Sequence, residues 1–211
     1  MFTQFNDVML WGAMVVAFFG LFRKDNITSG KVNPFNPRAN LRVGDVKVSK
    51  SGMVWLRVGH SKVIQFKERA HWVPLVPMPN HPLCPVKAVL RVLELHRQLR
   101  SPPGMALFLW KAPGGKVQAL THTRFVARFK ALVKAVGLDW NAYSGHSFRR
   151  GGATFCFNIG VNGSLIKLLG DWSSNAYLQY EEVTVRRRLE LPRTMAQAIT
   201  NGVLHHGPRL G

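Results

Sequence analysis

A chain of 211 residues that is 46% apolar and 10% aromatic has the material for one folded domain with a substantial core, which excludes a disordered polymer. Its 29 Lys and Arg against 10 Asp and Glu give a formal net charge of +19, so the first partner to consider is nucleic acid, ahead of an anionic membrane surface. Two cysteines, Cys84 and Cys156, are too few for a disulfide framework and stand in no Cys/His ligand spacing; both read as buried thiols in a reducing, intracellular setting. The few acids form no ligand-spaced cluster either, which argues against a metal-dependent nuclease or transposase and for chemistry with no metal and no cofactor.

The opening lacks the basic n-region of a secretory signal. Residues 8–22 (VMLWGAMVVAFFGLF) are 15 uncharged, mostly apolar residues. That is shorter than the roughly 20 needed to cross a bilayer, so the stretch predicts a buried core helix. Arg23 is the first charge after it, either an ordinary cation at a helix C-terminus or a guanidinium fixed on a rigid mount. Residues 29–40 are turn-rich and predict a loop. Over residues 41–76 the pattern changes to short β-type runs, LRVGDVKV and MVWLRVG around an SKSG turn and HWVPLV later, which predicts a small antiparallel sheet. Lys62 and Lys67 follow the second run; on their own they read as solvated hairpin lysines.

Residues 77–85 form a connector ending in Pro85, which suits a first helical turn. Residues 86–99 predict an amphipathic helix, with Val86, Val89, Leu90 and Leu93 inward and Arg91, Glu94 and Arg97 outward. SPPG breaks it, ALFLW is a short apolar run of open type, and APGG is a second turn. Thr121 or Thr123 caps a further helix through Val136, closed by Gly137 and made basic by Arg124, Arg128, Lys130 and Lys134.

The chemistry concentrates in residues 144–180. His146 and Arg149 are three positions apart, a spacing that on a helix puts a proton donor or acceptor beside a fixed cation, suited to a phosphate oxyanion. Asn162-Gly163-Ser164 separates two helix-sized segments. Trp172 follows in GDWSS, and Tyr180 lies beyond Ser174, a candidate N-cap. A His-x-x-Arg spacing alone is a weak signal: His206 and Arg209 repeat it in a tail interrupted by Gly207 and Pro208. After Tyr180 come Arg186, Arg187 and Arg188, a candidate helix over 192–199, and a tail over 200–211 expected to be disordered.

Together these stretches resemble the tyrosine recombinase (phage integrase) family, especially recombinases of eukaryotic mobile elements such as the Crypton and DIRS-like groups. GHSFRRGGAT is similar to the family's His-x-x-Arg box, and LLGDWSSNAYLQY to its His/Trp box and nucleophilic tyrosine. AFFGLFRKDNI resembles the segment with the first catalytic Arg, and HSKVIQFKER the β-hairpin with the catalytic Lys. The resemblance spans nearly the whole chain. It implies an α+β, mostly helical catalytic domain with a small antiparallel sheet, and a site of Arg23, Lys62 (with Lys67 as fallback), His146, Arg149, Trp172 and Tyr180 in family order.

The resemblance also implies a mechanism. Tyr180 attacks the scissile phosphate to form a covalent 3′-phosphotyrosine, and a free 5′-hydroxyl reverses the step without metal or ATP. Lys62 protonates the leaving 5′-oxygen, while His146 handles the tyrosine proton or holds the phosphate. Two departures stand out. Trp172 and Tyr180 are eight positions apart, one fewer than is usual in bacterial and phage members, where Asp171 would align; an ionised Asp cannot donate, so Trp172 is retained. Tyr177 shares a helix face with Tyr180 as a second candidate nucleophile, whereas Tyr143 fits no nucleophile position. The 7 residues before the first helix cannot supply the family's helical core-binding domain, so residues 1–199 are expected to be a catalytic domain alone. The implied partners are double-stranded DNA and further copies of the chain, as a tetramer on paired sites, with no membrane and a nuclear location. A non-catalytic DNA-binding protein derived from such an element is the alternative, and a type IB topoisomerase would use the same tyrosine chemistry.

Overall fold

The computed structural model describes residues 4–30, 35–59, 71–172 and 174–180, without the side chain of Tyr180. The apolar run near the start folds as α1 (Phe5–Phe19), buried at Met9, Leu10, Ala13, Val16 and Ala17. It packs on α3 (Pro85–Gln98), and Gly12 permits the approach: a Cβ there would lie 2.6 Å from Cγ2 of Val92.

α1 stops earlier than the apolar run suggests. Leu21 takes a left-handed conformation (φ 50°), its N–H donates to the Phe18 carbonyl at 3.3 Å, and the Phe22 N–H reaches back to the Ala17 carbonyl at 3.1 Å. This is a Schellman cap with a leucine where glycine is usual, and burial of that leucine (1% exposed) offsets the backbone cost. Arg23 is therefore not a last-turn cation of α1. It is the extended N-cap residue of the short helix α2 (Lys24–Ile27), where its N–H donates to Asn26 Oδ1 at 3.2 Å.

β1 (Val46–Val48), β2 (Val54–Val58) and β3 (His71–Leu75) form the antiparallel sheet, in that order, with Val46 opposite Leu56 and Val58 opposite His71. The period-2 pattern holds: Val54, Leu56, Val58, Val73 and Leu75 are buried. Gly52, with φ 77°, turns the chain between β1 and β2. Asp45, just before β1, is buried between Arg42 (2.8 Å) and Arg57 (3.0 Å).

In α3 the first-turn Pro85 is where it was expected and Cys84 is the N-cap, its sulfur accepting from the Lys87 N–H at 3.4 Å. Leu90 is 44% exposed rather than inward; Val86, Val89, Val92 and His96 make the buried face. The ALFLW run resolves as strand β4 (Leu109–Lys111), paired with β5 (Val117–Ala119) across the APGG turn. Thr121, not Thr123, caps α4 (His122–Ala135), and Gly137 follows it at φ 78°. α5 (Ser147–Asn158) and α6 (Gly163–Leu169) come next, α6 capped by Asn162, and a 3-10 helix spans Asn175–Tyr180.

Among the described residues two apolar clusters result. The larger lies under α1, α3, the sheet and β4; the smaller gathers Leu21, Ala153, Phe157, Ile166, Trp172 and Tyr177. Cys84 is buried as expected, but Cys156 is only half-buried at the edge of the smaller cluster, because it faces a shallow apolar groove lined by Trp72, Leu165 and Leu168. The architecture is α+β, mostly helical with small antiparallel sheets. Among the described residues no helix is long and apolar enough to cross a membrane. The candidate helix over 192–199, the tail over 200–211 and Arg186 to Arg188 lie outside the described residues.

Candidate active site

The C-terminus of α6 repeats the cap at the end of α1. After Leu169 come Gly170, then Asp171 in a left-handed conformation (φ 55°), then Trp172; the Asp171 N–H donates to the Leu168 carbonyl at 3.3 Å and the Trp172 N–H to that of Lys167 at 3.1 Å. In both caps an aromatic ring folds back over the preceding glycine. A Cβ on Gly20 would lie 2.3 Å from the Phe22 ring, and one on Gly170 would lie 1.7 Å from the Trp172 ring.

Arg149 joins the two caps. It projects from the first turn of α5 and is 6% exposed. Its Nη1 donates to the Leu21 carbonyl, its Nη2 donates to the Gly170 carbonyl at 2.7 Å, and its guanidinium lies 3.6 Å from the centre of the Trp172 ring. Arg23 is gripped by the same tripeptide: its Nη2 donates to the Asp171 carbonyl at 2.9 Å, and its Nη1 lies 3.5 Å from Asp171 Oδ2. Both guanidiniums line one pocket, together with Asn26, Val58, His71 and Asp171. The structure thus brings Arg23, Arg149 and Trp172 together, with Trp172 acting through its ring face beneath Arg149.

The other candidates divide. His146 is the N-cap residue of α5 and is exposed, while Arg149 three positions on is buried, so the pair do not present one shared helix face. The turn before α5 sets this: the His146 N–H donates to Ser144 Oγ at 3.3 Å and the Ser144 N–H to Ser147 Oγ at 2.9 Å. Lys62 and Lys67 lie outside the described residues; the flanking Val58 and His71 both line the arginine pocket. Tyr180 ends a short 3-10 helix after Trp172, and Ser174 caps it as expected, its Oγ accepting from the Ala176 N–H at 3.3 Å. Tyr177 is 8% exposed and stacks on Phe157, with centroids 6.2 Å apart and planes at 6°, which makes it a core aromatic. Tyr143 meets Phe129 edge to face.

Three contributors escaped the sequence reading. Leu21 and Gly170 act through backbone carbonyls, and only the repeated glycine–x–aromatic after an apolar helix (GLF, GDW) signals them. His71 lines the pocket and its Nε2 lies 3.3 Å from the Leu169 carbonyl, so that nitrogen is the donor. Among the described residues no group of three or more His, Cys, Asp or Glu could hold a metal ion.

No protein-family model matches the chain, and no curated protein matches it. Among solved structures, the XerH site-specific recombinase bound to palindromic difH substrate, in a post-cleavage complex, superposes with a TM-score of 0.63 at 12% identity over 93% of this chain and 48% of that one. Its pre-cleavage complex gives a TM-score of 0.62 at 12% identity over 91% and 48%. The Tn1549 transposon integrase with circular intermediate DNA gives 0.53 at 16% identity over 87% and 57%. The chain spans about half the length of these proteins. Element order, the twin-capped arginine pocket and these superpositions together show that the chain has the fold of a tyrosine recombinase catalytic domain.

Proposed function

We propose that the chain breaks and rejoins double-stranded DNA through a covalent tyrosyl–phosphate intermediate. The observation that carries this reading is the convergence of Arg23 and Arg149 on one pocket. Phosphodiester cleavage gathers negative charge on the non-bridging oxygens, and two preorganised guanidiniums answer it with forked hydrogen bonds. Arg149 is held by two carbonyls and an aromatic face, so little reorganisation remains when a phosphate arrives. Arg23 is the more accessible, with a side chain 32% exposed, and exchanges Asp171 for the phosphate.

In this scheme the Tyr180 phenolate attacks phosphorus, the bond to the 5′-oxygen breaks, and Lys62 delivers the proton to that leaving oxygen. His146 accepts the phenol proton or hydrogen-bonds the phosphate. The reverse attack by another strand's 5′-hydroxyl restores a phosphodiester and frees the tyrosine, so the bond energy is conserved. Two placements support the assignments. Tyr180 lies three residues beyond Tyr177, which ties its 3-10 helix to the small core under Trp172, and the strands flanking Lys62 line the arginine pocket. The matched recombinases were solved with DNA bound, and the +19 charge suits the same partner here.

A second reading, a chain that keeps the fold and binds DNA without cutting it, is favoured by the +19 charge, which serves binding whether or not Tyr180 reacts. The test is to mix the protein and a Tyr180→Phe variant with nicked duplex in chelator, denature, and look for DNA-linked protein. An adduct in wild type and none in the variant supports cleavage by Tyr180. An adduct in both assigns the nucleophile elsewhere, and none in either, with salt-sensitive binding retained, favours the binding protein.

A further inference from the structure

His122 is the first residue of α4, and its ring carries a buried nitrogen, Nδ1, with no hydrogen-bond partner among the described residues. Buried polar atoms are rarely left this way, so the packing around this one merits an explanation. The backbone on either side is fixed: the His122 N–H donates to the Ser29 carbonyl at 2.9 Å, and Thr121 Oγ1 accepts from the Arg124 N–H at 3.4 Å.

What the ring rests on is Gly145. A Cβ at that position would lie 2.3 Å from Cε1 of His122 and 3.2 and 3.3 Å from its two nitrogens, and these are its three nearest heavy atoms. Gly145 does not adopt a positive φ, so its backbone would tolerate alanine and the imidazole alone excludes one. Beside this contact an aromatic seam holds α4 on α5: Phe148 lies 5.6 Å from Phe125 and 4.4 Å from Phe129, ring centre to ring centre. The groups whose charge reaches His122 are Lys24, Asp25 and His146. Burial first, and then Lys24, lower its proton affinity, which favours a neutral ring against the turn.

We propose that His122 is a positioning residue for His146, acting through Gly145. The imidazole is a flat stop against which the Ser144–His146 turn is pressed, and it sets where the His146 side chain leaves the backbone. This rests on the proposed DNA cleavage only in giving His146 a task; the contact itself is independent of it.

The test exchanges volumes in the full chain, using His122→Ala, Gly145→Ala and the double variant. The first readout is the single-turnover rate of adduct formation on a nicked duplex, beside DNA affinity at fixed salt. The second is the imidazole NMR titration of His146, assigned with a His146→Gln variant. Each single variant is expected to slow adduct formation about tenfold with DNA affinity unchanged, since small misplacements of a reacting group are costly. The double variant, whose new methyl enters part of the space the ring vacated, is expected to recover part of the rate and to return the His146 titration toward that of the wild type. Non-recovery in the double variant, or singles that leave both readouts at wild-type values, overturns the proposal. Should Gly145→Ala fail to fold, His122→Ala against the double variant still decides, because only a positioning contact makes the added methyl restorative. Should the wild type form no adduct, the cleavage reading fails, and the His146 titration alone settles the positioning role by the same comparison.

Discussion

Arg23 and Asp171 meet across 148 positions of sequence, with the arginine donating to the aspartate's main-chain carbonyl at 2.9 Å and a second nitrogen 3.5 Å from its carboxylate. In the proposed cleavage the carboxylate competes with an incoming phosphate oxygen for Arg23. As a partly exposed pair it contributes little to stability, on the order of 0–1 kcal/mol. Asp171→Asn keeps the carbonyl grip and removes the competing charge. Affinity for a nicked duplex, read by fluorescence anisotropy at fixed salt, is expected to tighten by about threefold, the scale of one partly screened charge. Unchanged or weaker binding would falsify this resident-anion role.

Arg149→Lys keeps the charge but loses the fork and the planar stack on Trp172. A lysine brings one nitrogen where the fork places one on each of the Leu21 and Gly170 carbonyls, and a carbonyl that it fails to reach is left buried and unpaired. The variant is expected to lose about 2–3 kcal/mol in denaturant unfolding. Adduct formation should fall by about 100-fold or more, the usual effect of losing a preorganised charge donor. Loss of stability without loss of cleavage would make Arg149 purely structural.

Asp45 is a second buried ion, 2% exposed between Arg42 and Arg57. Burial acts to raise its carboxyl, but hydrogen bonds from Arg42 and Arg57 outweigh it and hold the group below the usual carboxylate range. The stabilisation is present above the unfolded carboxyl's pKa and is lost as pH falls through the folded one. Asp45→Asn is expected to cost about 3 kcal/mol at pH 7 and to flatten the decline in melting temperature below about pH 4.

His96 gives a second pH signature at milder acidity. It is 2% exposed, its Nε2 donates to the Leu107 carbonyl at 2.8 Å, and its Nδ1 accepts from the Ser101 hydroxyl at 2.9 Å. Burial pushes its pKa below the usual 6.5, while the Leu107 bond pulls the other way. Unfolding below pH 6.5 therefore takes up a proton, so stability is full above that value and falls as pH drops toward the folded pKa. His96→Gln is expected to be less stable at pH 7.5 and to lose stability less steeply between pH 6.5 and 5, by thermal melts across that range.

The sequence made legible whatever has a period or a punctuation mark. The β2 and β3 alternation, Pro85 opening α3, a threonine cap on α4 (Thr121 or Thr123) and the sheet–helix order all follow from residue type and spacing. β5 did not, because three half-buried residues carry no period. The site was half legible. Spacing singled out His146 and Arg149 and the family resemblance Arg23, but neither showed that Arg149 would be buried and His146 exposed, which depends on where α5 begins. Nor do side-chain patterns reveal backbone carbonyls as partners, or a histidine set by its contact with a glycine from another element.

The twin caps have one more consequence. A single guanidinium closes the ends of two helices that lie at opposite ends of the chain, and the tripeptide that receives it also holds the other arginine. The cradle is therefore absent until α1, α5 and α6 have all docked. A chain still emerging from the ribosome, or one whose α6 has frayed, carries both arginines and has no pocket to hold them. The geometry works as an interlock: only the finished fold is armed.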